Sequence, residues 1–256
     1  MTDLPQFTPI SAAVTFVGAG PRSAQHLTLG AYRAAQGADV VVLDRLVGAE
    51  VLALIPAPVR LVDVGKEGFG PSTAQDYVNG TLVAEALTGA RVIRLKGGDC
   101  EIFGRLDDEI PALEAAGLSF AILPSVTSAT IAAAPIGQSL TKRGRNASLR
   151  ITTAHDMDGF AEQDWRGMAS QGEVAAIYMG KKSARFLQCR LLMHGADADT
   201  TVTLIENVSR SDQRIVACTL STMPEAAASL EGPAVILYGL RPRSATALTH
   251  LKETRA

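Results

Sequence analysis

The chain has 256 residues, 47% hydrophobic and 20% charged, which is enough for one large core or two modest ones. Its formal net charge of −2 gives no global reason to expect nucleic acid or an anionic membrane as a partner. The three cysteines are widely spaced and form neither a zinc-ligand pattern nor a disulfide framework. Residues 1–10 lack the pattern of a signal peptide, and no apolar run could span a bilayer. We therefore expect a cytoplasmic protein without a metal site.

The first half of the chain alternates short apolar runs with helical patterns. The runs predict strands over residues 12–17, 38–43, 59–64, 92–95 and 119–123. The intervening patterns predict helices over residues 25–36, 49–54, 72–87, 108–116 and 127–134. Apolar strands that alternate with helices are typical of a mostly parallel sheet covered on both faces.

Several predicted strands end in residues suited to ligand binding. Asp44, Lys66 and Asp99 each follow a strand, and open α/β sheets place ligand-contacting groups at the carboxyl ends of their strands. Before Asp99, Gly97-Gly98 allows a sharp turn that brings peptide groups against a ligand. For the dipeptide alone, a tight turn with Asp99 capping the next segment is the commoner explanation.

The first strand also has features of a dinucleotide-binding fold. It ends in Gly18-Ala19-Gly20, and Asp44 lies near the distance expected of a ribose-binding acid. The third glycine of that fingerprint would fall at position 23, which is a serine. An NAD-dependent oxidoreductase therefore stays an alternative, but it leaves Gly97-Gly98-Asp99 and the second half unexplained.

The second half repeats the alternation after a basic linker. Residues 137–146 carry Lys142, Arg143 and Arg145, which an anionic substrate could use. Strands are predicted over residues 149–153, 174–179, 201–205, 214–219 and 234–238, with a helix over 183–194 and some antiparallel pairing near Arg214. We expect two α/β domains, residues 12–140 and 147–242.

Seven segments taken in order resemble the tetrapyrrole methylase family, and within it the uroporphyrinogen-III C-methyltransferases and the methyltransferase part of siroheme synthases. The resemblance covers about residues 12–242. It implies two α/β domains with the cofactor cleft between them, assembled as a homodimer. The segments are Val17 to Pro21, Asp44 to Val47, Val64 to Lys66, Val92 to Arg105, Val126 to Ala129, Tyr178 to Gly180, and Glu206-Asn207 with Asp212 to Arg214.

The resemblance also implies an activity and its site. The expected reaction is methylation of uroporphyrinogen III at C2 and C7 by S-adenosyl-L-methionine (SAM), giving precorrin-2 for siroheme or cobalamin and S-adenosyl-L-homocysteine as product. Asp44 and Lys66 match the family's base and acid. The matching cofactor-binding positions are Pro21, Gly97, Gly98, Asp99, Ile102, Thr127, Ser128, Met179 and Val208.

The implied substrate carries eight carboxylates, which gives basic residues near the cleft a purpose. Arginine suits this task because its guanidinium group binds carboxylate through two hydrogen bonds. The candidate substrate-binding residues are Arg45, Arg94, Arg105, Lys142 and Arg143.

This sequence departs from the family pattern near the expected site. Arg22 and Ser23 replace a glycine and an aspartate, and Val208 replaces a glycine after Glu206-Asn207. Cys100 and Glu101 replace a proline and an aromatic residue. Two alternatives therefore stay open: a methyltransferase acting later on the corrin ring, and a homologue that binds SAM or tetrapyrrole without catalysis.

Overall fold

The computed structural model describes residues 11–65, 75–156 and 159–243. The chain divides into two compact units, Met1–Thr127 and Ser128–Ala256. The domain limits expected from the sequence, residues 12–140 and 147–242, stay a prediction. Within the described ranges, no helix is both long and apolar enough to cross a membrane.

The first unit contains a five-stranded sheet whose neighbouring strands are all parallel, as predicted. The strands lie in the order β3-β2-β4-β1-β5. The strands are β1 (Val14–Gly18), β2 (Val40–Leu43), β3 (Arg60–Asp63), β4 (Val92–Lys96) and β5 (Phe120–Leu123); the helices are α1 (Leu29–Gln36), α2 (Ala49–Leu52), α3 (Gln75–Leu87) and α4 (Leu106–Ala115).

Alternating residues of these strands fill two hydrophobic cores, because successive side chains of a strand point to opposite faces. Val42 belongs to the core formed with Leu82 of α3 and Leu113 of α4. Its neighbour Val41 belongs to the core formed with Ala31 of α1. Burial on both faces explains why β1 and β2 appear in the sequence as continuous apolar runs.

The second unit contains a mixed five-stranded sheet in the order β11-β10-β12-β9-β6. Strand β10 pairs antiparallel with β11 and β12, β12 pairs antiparallel with β9, and β6 pairs parallel with β9. The antiparallel pairing expected near Arg214 is confirmed, since Glu206 lies opposite Arg214. The elements are α5 (Ser128–Ala133), β6 (Arg150–Thr153), β7 (His155–Asp156), β8 (Gly159–Phe160), α6 (Trp165–Met168), β9 (Ala175–Tyr178), α7 (Ala184–Met193), β10 (Thr201–Glu206), β11 (Arg214–Thr219), α8 (Met223–Ala228) and β12 (Ala234–Tyr238).

The helix predicted over residues 25–36 is interrupted. A short 3-10 turn covers Ala24–His26, and α1 begins only after Thr28. The Thr28 hydroxyl accepts a hydrogen bond from the amide of Ala31 at 3.1 Å. Such an N-cap satisfies an amide that the first helical turn leaves unpaired, so it fixes the start of the helix there.

Candidate functional site

The strand-exit edge of the first unit is the candidate site. Because its strands are parallel, their carboxyl ends share one edge of the sheet. Strands β1 and β4 are neighbours, yet the chain leaves β1 towards β2 and leaves β4 towards β5, on the opposite side. Such a switch point is where open α/β sheets bind ligands. The exit loops 18–21 and 97–99, highlighted by the sequence, lie there.

These two loops are joined directly. The amide of Gly20 donates to the carbonyl of Gly98 at 3.1 Å, and the amide of Gly98 donates to the carbonyl of Gly20 at 3.0 Å. Gly98 has φ +78, a backbone angle that glycine adopts without strain. A Cβ on Gly97 would lie 2.5 Å from Cβ of Leu46. Gly97-Gly98 therefore forms a turn and also lies in close contact with the loops that follow β1 and β2.

Asp99 and Ile102 lie just after this contact, and both are half-buried. The Oδ1 atom of Asp99 accepts from the amide of Glu101 at 3.2 Å, and the carbonyl of Asp99 accepts from the amide of Ile102 at 3.3 Å. The first of these hydrogen bonds orients the Asp99 carboxylate at the strand exit, and the second fixes the backbone that follows it.

The departures at Cys100 and Glu101 have simple structural outcomes. The Cys100 side chain is fully buried in the core between the sheet and α3 and α4, while Glu101 is exposed. Burial raises the pKa of the Cys100 thiol to about 11, and the nearby charges of Asp99 and Glu101 act in the same direction. Cys100 is therefore a neutral packing residue, since a thiol must ionise to act as a nucleophile.

A network of four charged side chains lies beneath the strand-exit edge. Arg94 of β4 donates from Nε to Oε2 of Glu109 at 2.8 Å and from Nη2 to Oε1 at 3.0 Å. Nη2 of Arg94 also donates to Oδ1 of Asp44 at 2.6 Å. Lys96 donates to Oε1 of Glu109. The network thus runs from Lys96 through Glu109 and Arg94 to Asp44.

Three of these four side chains are removed from solvent. Those of Arg94, Lys96 and Glu109 are at most 5% exposed, whereas that of Asp44 is 32% exposed. Burial acts to lower the pKa of Arg94, but its ion pairs with Glu109 and Asp44 outweigh burial and hold that pKa above its ordinary value. Burial, together with the charge of Arg94, lowers the pKa of Lys96.

The network changes the interpretation of Arg94. The sequence predicted a substrate-binding arginine, and that role stays a prediction. In the structure the Arg94 guanidinium is buried and engaged with Glu109 and Asp44, so it supports the carboxylate of Asp44. Lys66, the predicted acid, lies outside the described residues.

Lys96 and Glu109 were not among the residues predicted from the sequence, although the sequence contains a signal for them. Arg94 and Lys96 are two residues apart in an apolar strand, so their side chains point to the same face. Two buried cations on one face require buried anions. Glu109 lies in the first turn of α4, and α4 covers that face.

The two exposed arginines predicted to bind substrate, Arg45 and Arg105, remain at the surface of exit loops. Arg105 donates from Nε to Oδ2 of Asp108 at 2.7 Å and immediately precedes α4. Its φ of 56 lies in the left-handed region, which non-glycine residues seldom adopt and which is common at functional sites. Phe103 and Arg22 share this conformation.

Arg22, one of the departures from the family pattern, is integrated into the first unit. Its Nη2 atom donates to the carbonyl of Arg45 at 3.3 Å. A Cβ on Gly48 would lie 2.0 Å from the carbonyl oxygen of Arg22. Pro21, which precedes it, is buried. Arg22 therefore links the exit loops of β1 and β2.

In the second unit, the predicted cofactor residues Ser128 and Met179 are attached to paired elements. The amide of Ala129 donates to the hydroxyl of Tyr178 at 2.9 Å, which ties the start of α5 to the end of β9. Met179 follows β9 with φ 54, and 51% of its surface is exposed. It is therefore not an ordinary core residue. Thr127, the predicted cofactor residue that ends the first unit, is half-buried.

Val208 differs from Met179 because its side chain is buried. It packs with Val235 and Leu237 in a core of the second unit. Asn207, which precedes it, has φ 51. Any ligand contact of Val208 is thus left to its backbone, and its cofactor-binding role stays a prediction.

The basic loop 141–147 in the second unit is ordered by Asn146. Its Oδ1 atom accepts from the amide of Lys142 at 3.1 Å and from Nε of Arg145 at 2.9 Å. Its Nδ2 atom donates to the carbonyl of Leu140 at 3.0 Å. Lys142 and Arg143 are exposed, and the loop lines an open depression of about 650 Å³.

Residues 11–65, 75–156 and 159–243 contain no group of three or more His, Cys, Asp or Glu side chains that could hold a metal ion. The absence of a metal from the working protein stays an expectation.

Comparison with known proteins gives consistent matches. A family model described as tetrapyrrole (corrin/porphyrin) methylases matches residues 13–224. Siroheme synthase 3 of Aeromonas hydrophila subsp. hydrophila is 42% identical over 226 residues, which are 88% of this chain and 48% of that protein. The chain thus spans about half the length of the curated relatives it matches.

Solved structures of methyltransferases are also similar to this chain. The uroporphyrin-III C-methyl transferase of Thermus thermophilus, complexed with S-adenyl homocysteine, is 32% identical with a TM-score of 0.76, covering 88% of this chain and 96% of that one. A cobalt precorrin-4 methyltransferase of cobalamin biosynthesis has a TM-score of 0.78 at 22% identity, covering 92% of this chain and 95% of that one. At that identity the likeness concerns the fold alone.

Proposed function

The chain belongs to the tetrapyrrole (corrin/porphyrin) methylase family, and from this premise we propose that it methylates uroporphyrinogen III at C2 and C7 with SAM. The products are precorrin-2 and S-adenosyl-L-homocysteine. The observation that carries the proposal is the Gly97-Gly98-Asp99 turn at the switch point of the first unit's sheet. The likeness to a uroporphyrin-III C-methyl transferase complexed with S-adenyl homocysteine, over 88% of this chain and 96% of that one, supports it.

The glycine turn and Asp99 suit the methionine part of SAM. Gly97 and Gly98 allow close approach of peptide groups, and the Asp99 carboxylate is a natural acceptor for an ammonium group. Ile102 and the exposed thioether of Met179 offer apolar surface for adenine or ribose. Pro21, Thr127, Ser128 and Val208 complete the proposed cofactor set.

The reaction needs little chemistry from the protein. SAM supplies an activated methyl group, and the electron-rich substrate carbon is its own nucleophile. The protein must align the two reactants and provide a route for the proton that leaves. Asp44 is the proposed base, because Arg94 orients its carboxylate and leaves 32% of it exposed. Lys66 is the proposed acid.

Charge complementarity supports the proposed substrate. Arg45 and Arg105 are exposed on exit loops of the first unit, and Lys142 and Arg143 are exposed on the basic loop of the second. These cations suit a molecule with eight carboxylates.

We further propose a cytoplasmic homodimer that serves siroheme or cobalamin synthesis. The curated relatives at 41–42% identity are named siroheme synthases, which supports the siroheme pathway. Three cysteines present as thiols are consistent with a reducing compartment. Light scattering on purified protein would test the dimer.

The decisive experiment is incubation with methyl-labelled SAM and enzymatically generated uroporphyrinogen III without oxygen, followed by mass analysis of the tetrapyrrole. We expect a product with two added methyl groups. Asp99→Ala should abolish SAM binding measured by calorimetry, whereas Asp107→Ala, at an exposed carboxylate of α4, should leave it unchanged. Binding without transfer would favour a different tetrapyrrole substrate or a non-catalytic role. Unchanged SAM affinity in Asp99→Ala would remove this turn from the cofactor site.

A further inference from the structure

One member of the four-charge network is accessible to solvent. Arg94, Lys96 and Glu109 are almost fully buried, and the only substantially exposed member is Asp44, at the strand-exit edge. Such an arrangement suits a support that holds one reactive carboxylate in place.

The packing of α4 against the sheet does not require the charged network. Leu113 and Ile110 of α4 already pack into the core shared with β1, β2 and β4. Buried ion pairs are seldom better for stability than well-packed apolar residues of similar volume. Stabilising the packing of α4 against the sheet is therefore not a sufficient reason for four charges in this position.

The geometry fixes the Arg94 guanidinium in one orientation. Nε and Nη2 are held by the two oxygens of Glu109, and Nη1 lies 3.5 Å from the carbonyl of Val42. With these contacts made, Nη2 points at Asp44. The orientation of the Asp44 carboxylate is thus set by Glu109, through Arg94.

We infer that Glu109 is a positioning residue for the base Asp44, acting through Arg94, and that Lys96 balances the charge of the network. This inference rests on the proposed function, because it assigns Asp44 to proton transfer. With all four groups ionised, two cations face two anions. Removal of the Glu109 charge alone leaves a buried excess of positive charge, and removal of Lys96 as well restores the balance.

The test uses two variants with different predictions. In Glu109→Gln, the carboxamide no longer holds Arg94 through two charged hydrogen bonds, so Asp44 is displaced. We expect kcat to fall about 10-fold to 100-fold, the loss expected from a misplacement of about 1 Å, with KM for SAM unchanged. The double variant Glu109→Gln with Lys96→Met should regain thermal stability but not kcat. Recovery of kcat together with stability would overturn the inference, because the role of Glu109 would then be structural.

Glu85→Gln is the matched control. Glu85 of α3 pairs with Arg60 of β3, an interaction between helix and sheet in the same unit that lies away from Asp44. Its kcat should stay within about twofold of the parent, because the Arg60 side chain is 56% exposed and ion pairs open to solvent contribute little. Unchanged kcat in Glu109→Gln would also overturn the inference.

Crystal structures of the parent and Glu109→Gln separate the inference from the proposed function. We expect the contact between Arg94 and Asp44 in the parent and its loss in the variant. If the parent transfers no methyl group but the contact depends on Glu109, the proposed function fails and the positioning of Asp44 stands. If the parent is active and the contact persists in the variant, the inference fails alone.

Discussion

Glu206 illustrates how one buried carboxylate can organise a strand end. It is the last residue of β10 and is 2% exposed. Its Oε1 atom accepts from the amides of Glu231, at 2.5 Å, and Gly232, and its Oε2 atom lies 3.1 Å from Nη1 of Arg214. Burial acts to raise the pKa of Glu206, but these hydrogen bonds and the charges of Arg214 and Lys181 hold it below its ordinary value of 4.5.

This shift predicts a pH-dependent effect of Glu206→Gln. A carboxylate whose pKa is lower in the folded state stabilises the protein fully above its unfolded pKa, and this contribution is lost as the pH falls through the folded pKa. At neutral pH we expect Glu206→Gln to lower the free energy of unfolding by about 1–3 kcal/mol, the usual cost of disrupting a buried hydrogen-bonded group. The difference should shrink below pH 4.5.

Urea unfolding of both proteins across this pH range measures the effect. Glu225→Gln is the control, because Glu225 is exposed and lies 3.8 Å from its partner Arg185. Its effect should stay within about 0.5 kcal/mol at every pH. A Glu206→Gln deficit that does not change with pH would mean that packing of the amide, rather than loss of the charge, causes it.

At the level of elements, the sequence predicted the strands well because each is buried on two faces or carries a clear apolar run. It missed the two-residue strands β7 and β8 and the helices α6 and α8, which have four and six residues; all four are too short to show a periodicity. Thr28 could have revealed the late start of α1, since threonine is a common N-cap.

The candidate site was predictable only in part, for a similar reason. The Gly97-Gly98-Asp99 turn is local, so its position at a strand exit followed from the strand itself. The partner of Arg94 is not local: Glu109 lies 15 residues away on a helix, and only the packing of that helix brings the two together. The spacing of Arg94 and Lys96 in an apolar strand indicates buried cations, but it does not identify the anion that pairs with them.

Two glycines of the first unit, Gly18 at the end of β1 and Gly80 in α3, predict opposite effects of substitution by alanine. A Cβ on Gly18 would lie 2.4 Å from Cβ of Ser125 and 2.6 Å from the carbonyl oxygen of Gly98, so Gly18→Ala must push backbone apart. We expect it to cost about 1–3 kcal/mol, as overpacking usually does. In Gly80→Ala the added Cβ meets nothing within 4 Å in α3, and helix propensity should stabilise by about 0.5–1 kcal/mol.

Thermal unfolding of the two variants measures these effects, and SAM affinity gives a second observable. Gly18→Ala should also weaken SAM binding, because Gly18 contacts the carbonyl of Gly98 in the proposed cofactor turn. Gly80→Ala should leave that affinity unchanged. Full stability in Gly18→Ala would show that the exit loops yield easily and are not held in a fixed arrangement.

At the level of the whole molecule, residues proposed to bind SAM occur in both units. Gly97, Gly98 and Asp99 belong to the first unit, and Met179 and Val208 belong to the second. A ligand that binds only the folded state stabilises it, by about 2.7 kcal/mol at a concentration of 100 times Kd. Whether this stabilisation reaches both units depends on which residues the ligand contacts.

Hydrogen exchange with and without SAM provides the final prediction. We expect slower amide exchange in the segments around Gly98 and Met179, because each would lie against the bound cofactor and open less often. In Asp99→Ala, SAM should change exchange in neither segment, whereas in Asp107→Ala it should slow both. Slowing around Gly98 alone would keep Asp99 in the proposed site and remove Met179 and Val208 from it.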